Sequence, residues 1–220
     1  MSALLDALET ETGPHPSASV IWLHGLGADG HDFAPLVPEL KLPKRPIRFV
    51  FPHAPQMPVT LNGGMLMPAW YDISDTAIRR EDERGIRASQ ASVEALIARE
   101  ISRGSPTGNI VLAGFSQGGA IALQTALRHP SRLAGVMALS TYVPLAELLA
   151  AEASAANRDL PIFMAHGTLD PMIALPRAEQ SRSLLLGLGY RVEWRSYAMA
   201  HAVCAEEIAD IGNWLGRVLG

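Results

Sequence analysis

Cysteine is nearly absent: Cys204 is the one thiol in 220 residues. A single thiol cannot build an intramolecular disulfide framework, and such scarcity fits a chain kept in a reducing compartment. Positive charge is thin as well. Lysine and arginine number 18 against 22 acidic residues, a formal net charge of −4, and prolines interrupt the strongest basic stretch, residues 41–48. A polyanion needs a continuous cationic face, so no nucleic-acid partner is expected. Long apolar runs are missing too. The most apolar stretch, residues 133–156, is broken by Ser140, Thr141, Pro144, Glu147 and Glu152, so no membrane span is expected. Residues 1–16 carry Asp6, Glu9 and Glu11 without a lysine or arginine, the wrong sign for a secretory signal. The densest charge run, residues 79–87, is short and mixed in sign, as in a solvated loop or helix start, and there is no internal repeat. These absences predict a cytoplasmic globular protein.

What is present is a core. The apolar fraction is 48%, and a chain of this length can bury most of its surface in a single domain spanning residues 1–220. Short apolar runs predict strands at residues 4–11, 18–24, 47–52, 109–115, 134–140, 161–166 and 191–197. Three of these lack alternation (residues 20–23, 110–113 and 162–165), as expected for strands covered on both faces of a parallel sheet. Between them, Ile86, Val93, Leu96, Ile97 and Ile101 share one helical face, and Ile208, Ile211, Leu215 and Val218 share another. A third helix runs from Ser116 to the stop at His129-Pro130. The alternation predicts an α/β sandwich of about seven mainly parallel strands. The first strand is expected to be antiparallel, because the short connection at residues 13–16 allows a hairpin and no crossover.

The sharpest chemical signal is Gly114-Phe115-Ser116-Gln117-Gly118, a G-x-S-x-G between a strand and a helix. A serine there sits on a tight turn, lifted above the sheet edge at a helix N-terminus, where partial positive charge favours a developing anion. The plainer reading is a glycine-rich turn with an incidental serine, so partners decide. A hydrolytic serine needs a base, and the base an orienting acid, in the chain order Ser, Asp/Glu, His at strand C-termini. His129 precedes Pro130 at a helix end, and His166 leaves no acid in the interval, whereas His201 follows the last strand. Asp159 precedes its strand and Asp210 falls inside the last helix, while Asp170 follows His166-Gly167 in a loop with Pro171. Elimination leaves Ser116, Asp170 and His201.

The stretch from Trp22 to Gly30 supports two incompatible functions. Gly25, Gly27 and Gly30 match the dinucleotide fingerprint G-x-G-x-x-G. That fingerprint needs an uninterrupted helix and an acid about 20 residues on. Pro35 and Pro38 interrupt the helix, and residues 49–53 read Phe-Val-Phe-Pro-His without an acid. The other reading is an oxyanion loop whose glycines let the Leu26 N–H, with the Gln117 N–H, face a tetrahedral intermediate. His24 is then a hydrogen-bonder that shapes the loop.

Taken together, WLHGLGADG, Pro68–Asp72 (PAWYD), GFSQGG, HGTLDP and Ala200-His201 resemble the carboxylesterase / acyl-protein thioesterase (lysophospholipase-like) family of α/β-hydrolases, over nearly the whole chain. The resemblance implies a serine hydrolase with Ser116, Asp170 and His201 as triad and the Leu26 and Gln117 amides as oxyanion hole. It implies a substrate among short acyl esters, acyl thioesters and lysophospholipids, and a three-layer sandwich without a cap domain. About 20 residues separate Ser140 from Pro161, which is too few for an inserted lid. The leading expectation is a carboxylesterase for short- to medium-chain esters, and the alternative an acyl-protein thioesterase or lysophospholipase. Residues 57–70 are the expected acyl wall, with Met65, Leu66, Met67 and Trp70 as substrate-binding residues, because methionine makes an adaptable apolar surface. That wall should serve acyl chains of roughly six to ten carbons. Asp72 is expected to be structural, and Cys204, lacking the elbow, a packed thiol. No cofactor is expected, and no metal, since neither H-x-x-x-H nor a carboxylate cluster occurs. The partner expected is a small acyl substrate, and the sequence leaves room for a homodimer. A dinucleotide-dependent oxidoreductase and a silent binding module are the rivals from other classes.

Overall fold

A strand covered by apolar layers on both faces has no polar side, so its two-residue period shows only in which layer each side chain enters. The computed structural model describes residues 4–42, 44–75 and 81–220. Its strands are β1 Ala7–Glu11, β2 Ala18–Leu23, β3 Ile47–Pro52, β4 Gln56–Val59, β5 Met65–Pro68, β6 Ile110–Phe115, β7 Gly135–Leu139, β8 Ile162–Gly167 and β9 Val192–Tyr197. Its helices are α1 Glu83–Ser102, α2 Gln117–Arg128, α3 Ala146–Glu152, α4 Leu175–Gly187 and α5 Ala205–Leu219. Seven strands form one sheet in the order β1-β3-β2-β6-β7-β8-β9, parallel except for β1, while β4 and β5 form a separate hairpin.

Ile21 and Leu23 of β2, Leu112 of β6 and Val136 of β7 enter a layer with Val93, Leu96 and Ile97 of α1 and Ile121 and Leu123 of α2. Val20, Trp22, Val111 and Met137, from the alternate positions, pack on the other side with Ile211, Trp214 and Leu215 of α5. The result is a three-layer α/β sandwich, as the alternation of elements predicted. Ile101, expected on the buried face of α1, is largely exposed at its C-terminal end, and Ile208 and Val218 are partly buried. Of the charge run, Glu83–Arg87 opens α1 under an Asp82 N-cap that accepts from the Gly85 N–H, while Arg79 and Arg80 lie outside the described residues.

The first strand is antiparallel as expected, but it is no hairpin partner of β2. It begins at Ala7 and pairs with β3, Leu8 opposite Phe51, and β3 occupies the edge of β2. Thr12 holds the crossing, donating its N–H to Ile47 O at 3.0 Å and accepting from the Ile47 N–H at 2.9 Å. The connection therefore spans two strand spacings, about 10 Å, which six residues reach easily.

Parallel pairing aligns the C-terminal ends of β2, β6, β7, β8 and β9 along one edge, and the loops leaving that edge carry the site. Between β7 and β8 the chain contributes α3 and a short 3-10 turn at Ala155–Asn157, with no cap inserted. No helix among the described residues is long and apolar enough to cross a membrane.

Candidate active site

Ser116 stands between β6 and α2 at φ 55°, a backbone region that L-residues rarely adopt and that costs about 1–3 kcal/mol. The strain is held in place. Its N–H donates to Leu139 O at 2.8 Å, and its carbonyl accepts from the Ala120 N–H and the Thr141 hydroxyl. The two flanking glycines are steric necessities. A Cβ on Gly114 would lie 2.3 Å from the Gly118 carbonyl, and one on Gly118 would lie 2.4 Å from His24 O. Ser116 makes no side-chain cap to α2, so its hydroxyl is left to another partner.

That partner is His201, whose Nε2 lies 2.9 Å from Ser116 Oγ. His201 Nδ1 lies 2.7 Å from Asp170 Oδ2. Asp170 is itself tied down, since Oδ1 accepts the Met172 and Ile173 N–H groups at 2.8 and 2.9 Å. Its side chain is fully buried, whereas that of His201 keeps 18% exposure toward the opening. Gly167, at the end of β8, has a role that its sequence position did not reveal. A Cβ there would meet Met199 O at 2.3 Å and Ala200 O at 2.4 Å, so only glycine lets the His201 loop pass this close to Asp170. His166 is buried below, donating Nε2–H to Ile173 O at 2.8 Å, and burial lowers its pKa. The competing acids lie elsewhere: Asp210 accepts the Tyr197 hydroxyl, and the Asp159 carbonyl accepts from Arg132.

The loop after β2 is shaped by His24. Its Nε2 accepts the Ala54 N–H at 3.0 Å, so Nδ1 carries the proton and donates to Gly25 O at 2.7 Å. Burial lowers the His24 pKa and keeps the ring neutral for this double role. Trp70 and Gln117 brace the same loop. The indole N–H donates to His24 O at 2.9 Å, and the Trp70 amide donates to Gln117 Oε1 at 2.8 Å. Gln117 Nε2 donates to Tyr71 O, and the Gly27 N–H to Pro68 O. Leu26 and Gln117 thereby meet around one cavity with Ser116 and His201.

That cavity holds about 510 Å³ and is walled by Leu61, Met67, Ile73, Phe115, Met172 and Ile173, with Tyr71 and Tyr142 at its side. Of the four residues expected to contact the acyl chain, the structure brings only Met67 to it. Met65 and Leu66 are 63% and 68% exposed outside the lining, and Trp70 is buried beneath the loop that follows β2. The cause is local. The turn at Thr60–Asn62 folds back, the Leu61 N–H bonding to Ile73 O, and turns Leu61 and Asn62 toward the cavity. Asp72 secures that turn by accepting the Thr60 N–H and hydroxyl, a structural part as expected. Tyr142, Met172 and Ile173 were missed as lining residues. The available signal was position, since each closely follows the C-terminal end of a parallel strand. Cys204 is half-buried before α5, and burial pushes its thiol pKa up, away from the reactive thiolate. A second cavity of about 600 Å³, lined by Glu81, Tyr142, Glu147 and Arg177, contains no such relay.

A serine on a strained strand-to-helix elbow, backed by histidine and a buried aspartate at the C-terminal edge of a mainly parallel sheet, defines a serine hydrolase of the α/β-hydrolase fold. The chain belongs to the Phospholipase/Carboxylesterase family, which it matches over residues 7–219. It is 43% identical over 212 residues to an acyl-protein thioesterase 1 of Neurospora crassa, covering 90% of this chain and 86% of that one. Among solved structures it resembles Arabidopsis thaliana SOBER1 (TM-score 0.86, 30% identity, 92% of this chain and 99% of that chain). It also resembles Zea mays acyl-protein thioesterase 2 (TM-score 0.85, 29% identity, 98% and 100%).

Proposed function

We propose that the protein hydrolyses acyl thioesters, the acyl group being released from a cysteine sulfur of a larger leaving group through a Ser116 acyl-enzyme. The carrying observation is the Ser116–His201–Asp170 relay, with separations of 2.9 and 2.7 Å, at the rim of an apolar cavity over which the described residues place no cap. The resemblance to acyl-protein thioesterases, which runs over nine-tenths of the chain, supports this reading above the general carboxylesterase expected first. The missing cap supports it as well, because a bulky leaving group needs an open approach while the acyl chain alone is enclosed.

In this reading His201 Nε2 takes the Ser116 hydroxyl proton as Oγ attacks the acyl carbonyl, and the oxyanion accepts hydrogen bonds from the Leu26 and Gln117 amides. His201 returns the proton to the departing sulfur. It then draws a proton from water, whose oxygen attacks the acyl-enzyme, and returns that proton to Ser116 Oγ as the acyl–Oγ bond breaks and the acid leaves. Asp170 keeps the proton on Nδ1 throughout and balances the imidazolium charge. A single thiol in the whole chain supports a reducing, cytoplasmic setting.

The test pairs an octanoyl-S-cysteinyl peptide with the O-octanoyl serine peptide of the same sequence. The thioester should show at least tenfold higher kcat/KM, and both activities should vanish in Ser116→Ala. Preference for the oxoester would return the reading to a carboxylesterase, the second function that the family description supports.

A further inference from the structure

Outside the serine site, three ligating side chains converge, two from one loop and the third at least 22 positions further along the chain. Asp29 and His31 flank Gly30 in the loop that follows the Leu26 amide, and His53 follows the end of β3. One ligand atom from each lies within 4.8 Å of the others. The arrangement is built rather than incidental to an exposed surface. A Cβ on Gly30 would stand 2.3 Å from Phe51 O, so only glycine lets this loop rest against the end of β3. There the Gly30 N–H donates to His53 Nδ1 at 3.1 Å, which turns the Nδ1 lone pair toward this loop, the pair that an ion would take in place of the Gly30 N–H. The His53 N–H is anchored in turn to Asp6 O at 2.9 Å. Asp29 Oδ1 accepts both the His31 N–H and the His31 ring Nδ1 at 2.7 and 2.9 Å, holding the loop pair together, and the two imidazoles lie 5.6 Å apart.

We propose that Asp29, His31 and His53 form a site for a divalent transition ion of the zinc class, separate from the catalytic relay. Two imidazoles and one carboxylate suit zinc, nickel or copper over magnesium or calcium, which favour all-oxygen shells. Tetrahedral bonds of about 2.0–2.1 Å put ligand atoms roughly 3.3 Å apart. Reaching that value from the present spacing of up to 4.8 Å would take rotation of the two exposed side chains, Asp29 and His31, with the Asp29–His31 ring contact exchanged for the ion. Three protein ligands leave a fourth position for water. Asp32, directly after His31, lines the active-site cavity instead. The ion would cross-link the oxyanion loop to the β3–β4 junction. This links metal supply to the rigidity of the element that carries the Leu26 amide, without a part in bond breaking.

The test is calorimetric titration of the metal-free, full-length chain with Zn²⁺, repeated with Mg²⁺ and with Asp29→Asn and His31→Ala. Both positions are exposed, and asparagine keeps the oxygen that accepts the His31 amide, so the loop should survive. One Zn²⁺ should bind per chain, each substitution should weaken binding at least tenfold, and Mg²⁺ should not compete. At a hundred times Kd the Tm of the unsubstituted chain should rise by roughly 5–10 °C. The same Zn²⁺ should slow hydrogen exchange of the amides of residues 27–32. Zn²⁺ binding of unchanged affinity in His31→Ala would place the ion elsewhere, at His201 or Cys204, and overturn the proposal. Absence of saturable binding, or equal binding of Mg²⁺, would overturn it as well.

Discussion

Asp170 illustrates how one side chain can be committed at both oxygens. Oδ1 is occupied by the amides of Met172 and Ile173, so Oδ2 alone meets His201. In Asp170→Asn the remaining carbonyl oxygen would keep the two amides, and the new NH₂ group would face His201 Nδ1. A donor there forces the proton onto Nε2, the nitrogen that must accept from Ser116. The expected loss is about 10⁴-fold in kcat with the fold unchanged, measured by steady-state kinetics beside circular dichroism. Asp159→Asn and Asp210→Asn, away from the relay, should change kcat less than twofold. An equally damaged Asp210 variant would mean that the Tyr197 hydroxyl contact, not the relay, controls the His201 loop.

At the scale of elements, the β4–β5 hairpin separates residues that look equivalent in sequence. Met65 pairs with Val59 and Met67 with Met57, so both methionines share a strand face, yet only Met67 reaches the cavity. The folded-back turn brings Leu61 and Asn62 to the cavity, while Met65 stays exposed outside its lining. A methylene buried against this wall contributes about 0.8 kcal/mol, close to fourfold in rate where it improves transition-state binding. Met67→Ala should therefore lower kcat/KM for octanoyl substrates about tenfold more than for acetyl ones. Met65→Ala should leave the acyl-length profile unchanged. The check is a series of acyl substrates from two to sixteen carbons, and a uniform loss across it in Met67→Ala would show that the hairpin supports the relay rather than the chain.

For the whole molecule, the interior contains an acid that favours low pH. Glu207, fully buried in the first turn of α5, has its carboxyl pKa pushed up to about 8 by burial, against the pull of the nearby Cys204 amide. A folded pKa above the unfolded value of 4.5 means that the native state holds the proton longer. Stability from this group is present below pH 4.5 and is lost as pH rises through 8, to an extent of about 5 kcal/mol. Buried neutral His24 and His166 act in the opposite sense. Their folded pKa values are lowered, so stability falls as pH drops below 6.5, where the unfolded chain gains protons first. Thermal melts across pH 5–9 should show a fall on the alkaline side that is absent in Glu207→Gln. An identical alkaline slope in that variant would remove Glu207 as its source.

Order along the chain carried the class of fold and the relay. Apolar runs without alternation marked the sheet, and G-x-S-x-G with the sequence Ser116, Asp170, His201 was legible because strand C-termini converge in any parallel sheet. Short-range constraint is the reason: a tight elbow admits only glycine beside it, and a strand end projects its following loop to a known edge. The edge position of β1, the lining of the cavity beside Ser116 and the meeting of Asp29 and His31 with His53 were decided by tertiary structure. Each depends on which surfaces pack together. The pairing of β1 rests on competition for the edge of β2, and the choice of Met67 over Met65 rests on how a turn folds over Ile73. Gly167 falls between the two. Its presence was visible in the sequence, but its necessity arises from Met199 and Ala200, more than 30 positions away, whose carbonyls the packing of β9 on β8 brings within 2.4 Å of where a Cβ would stand.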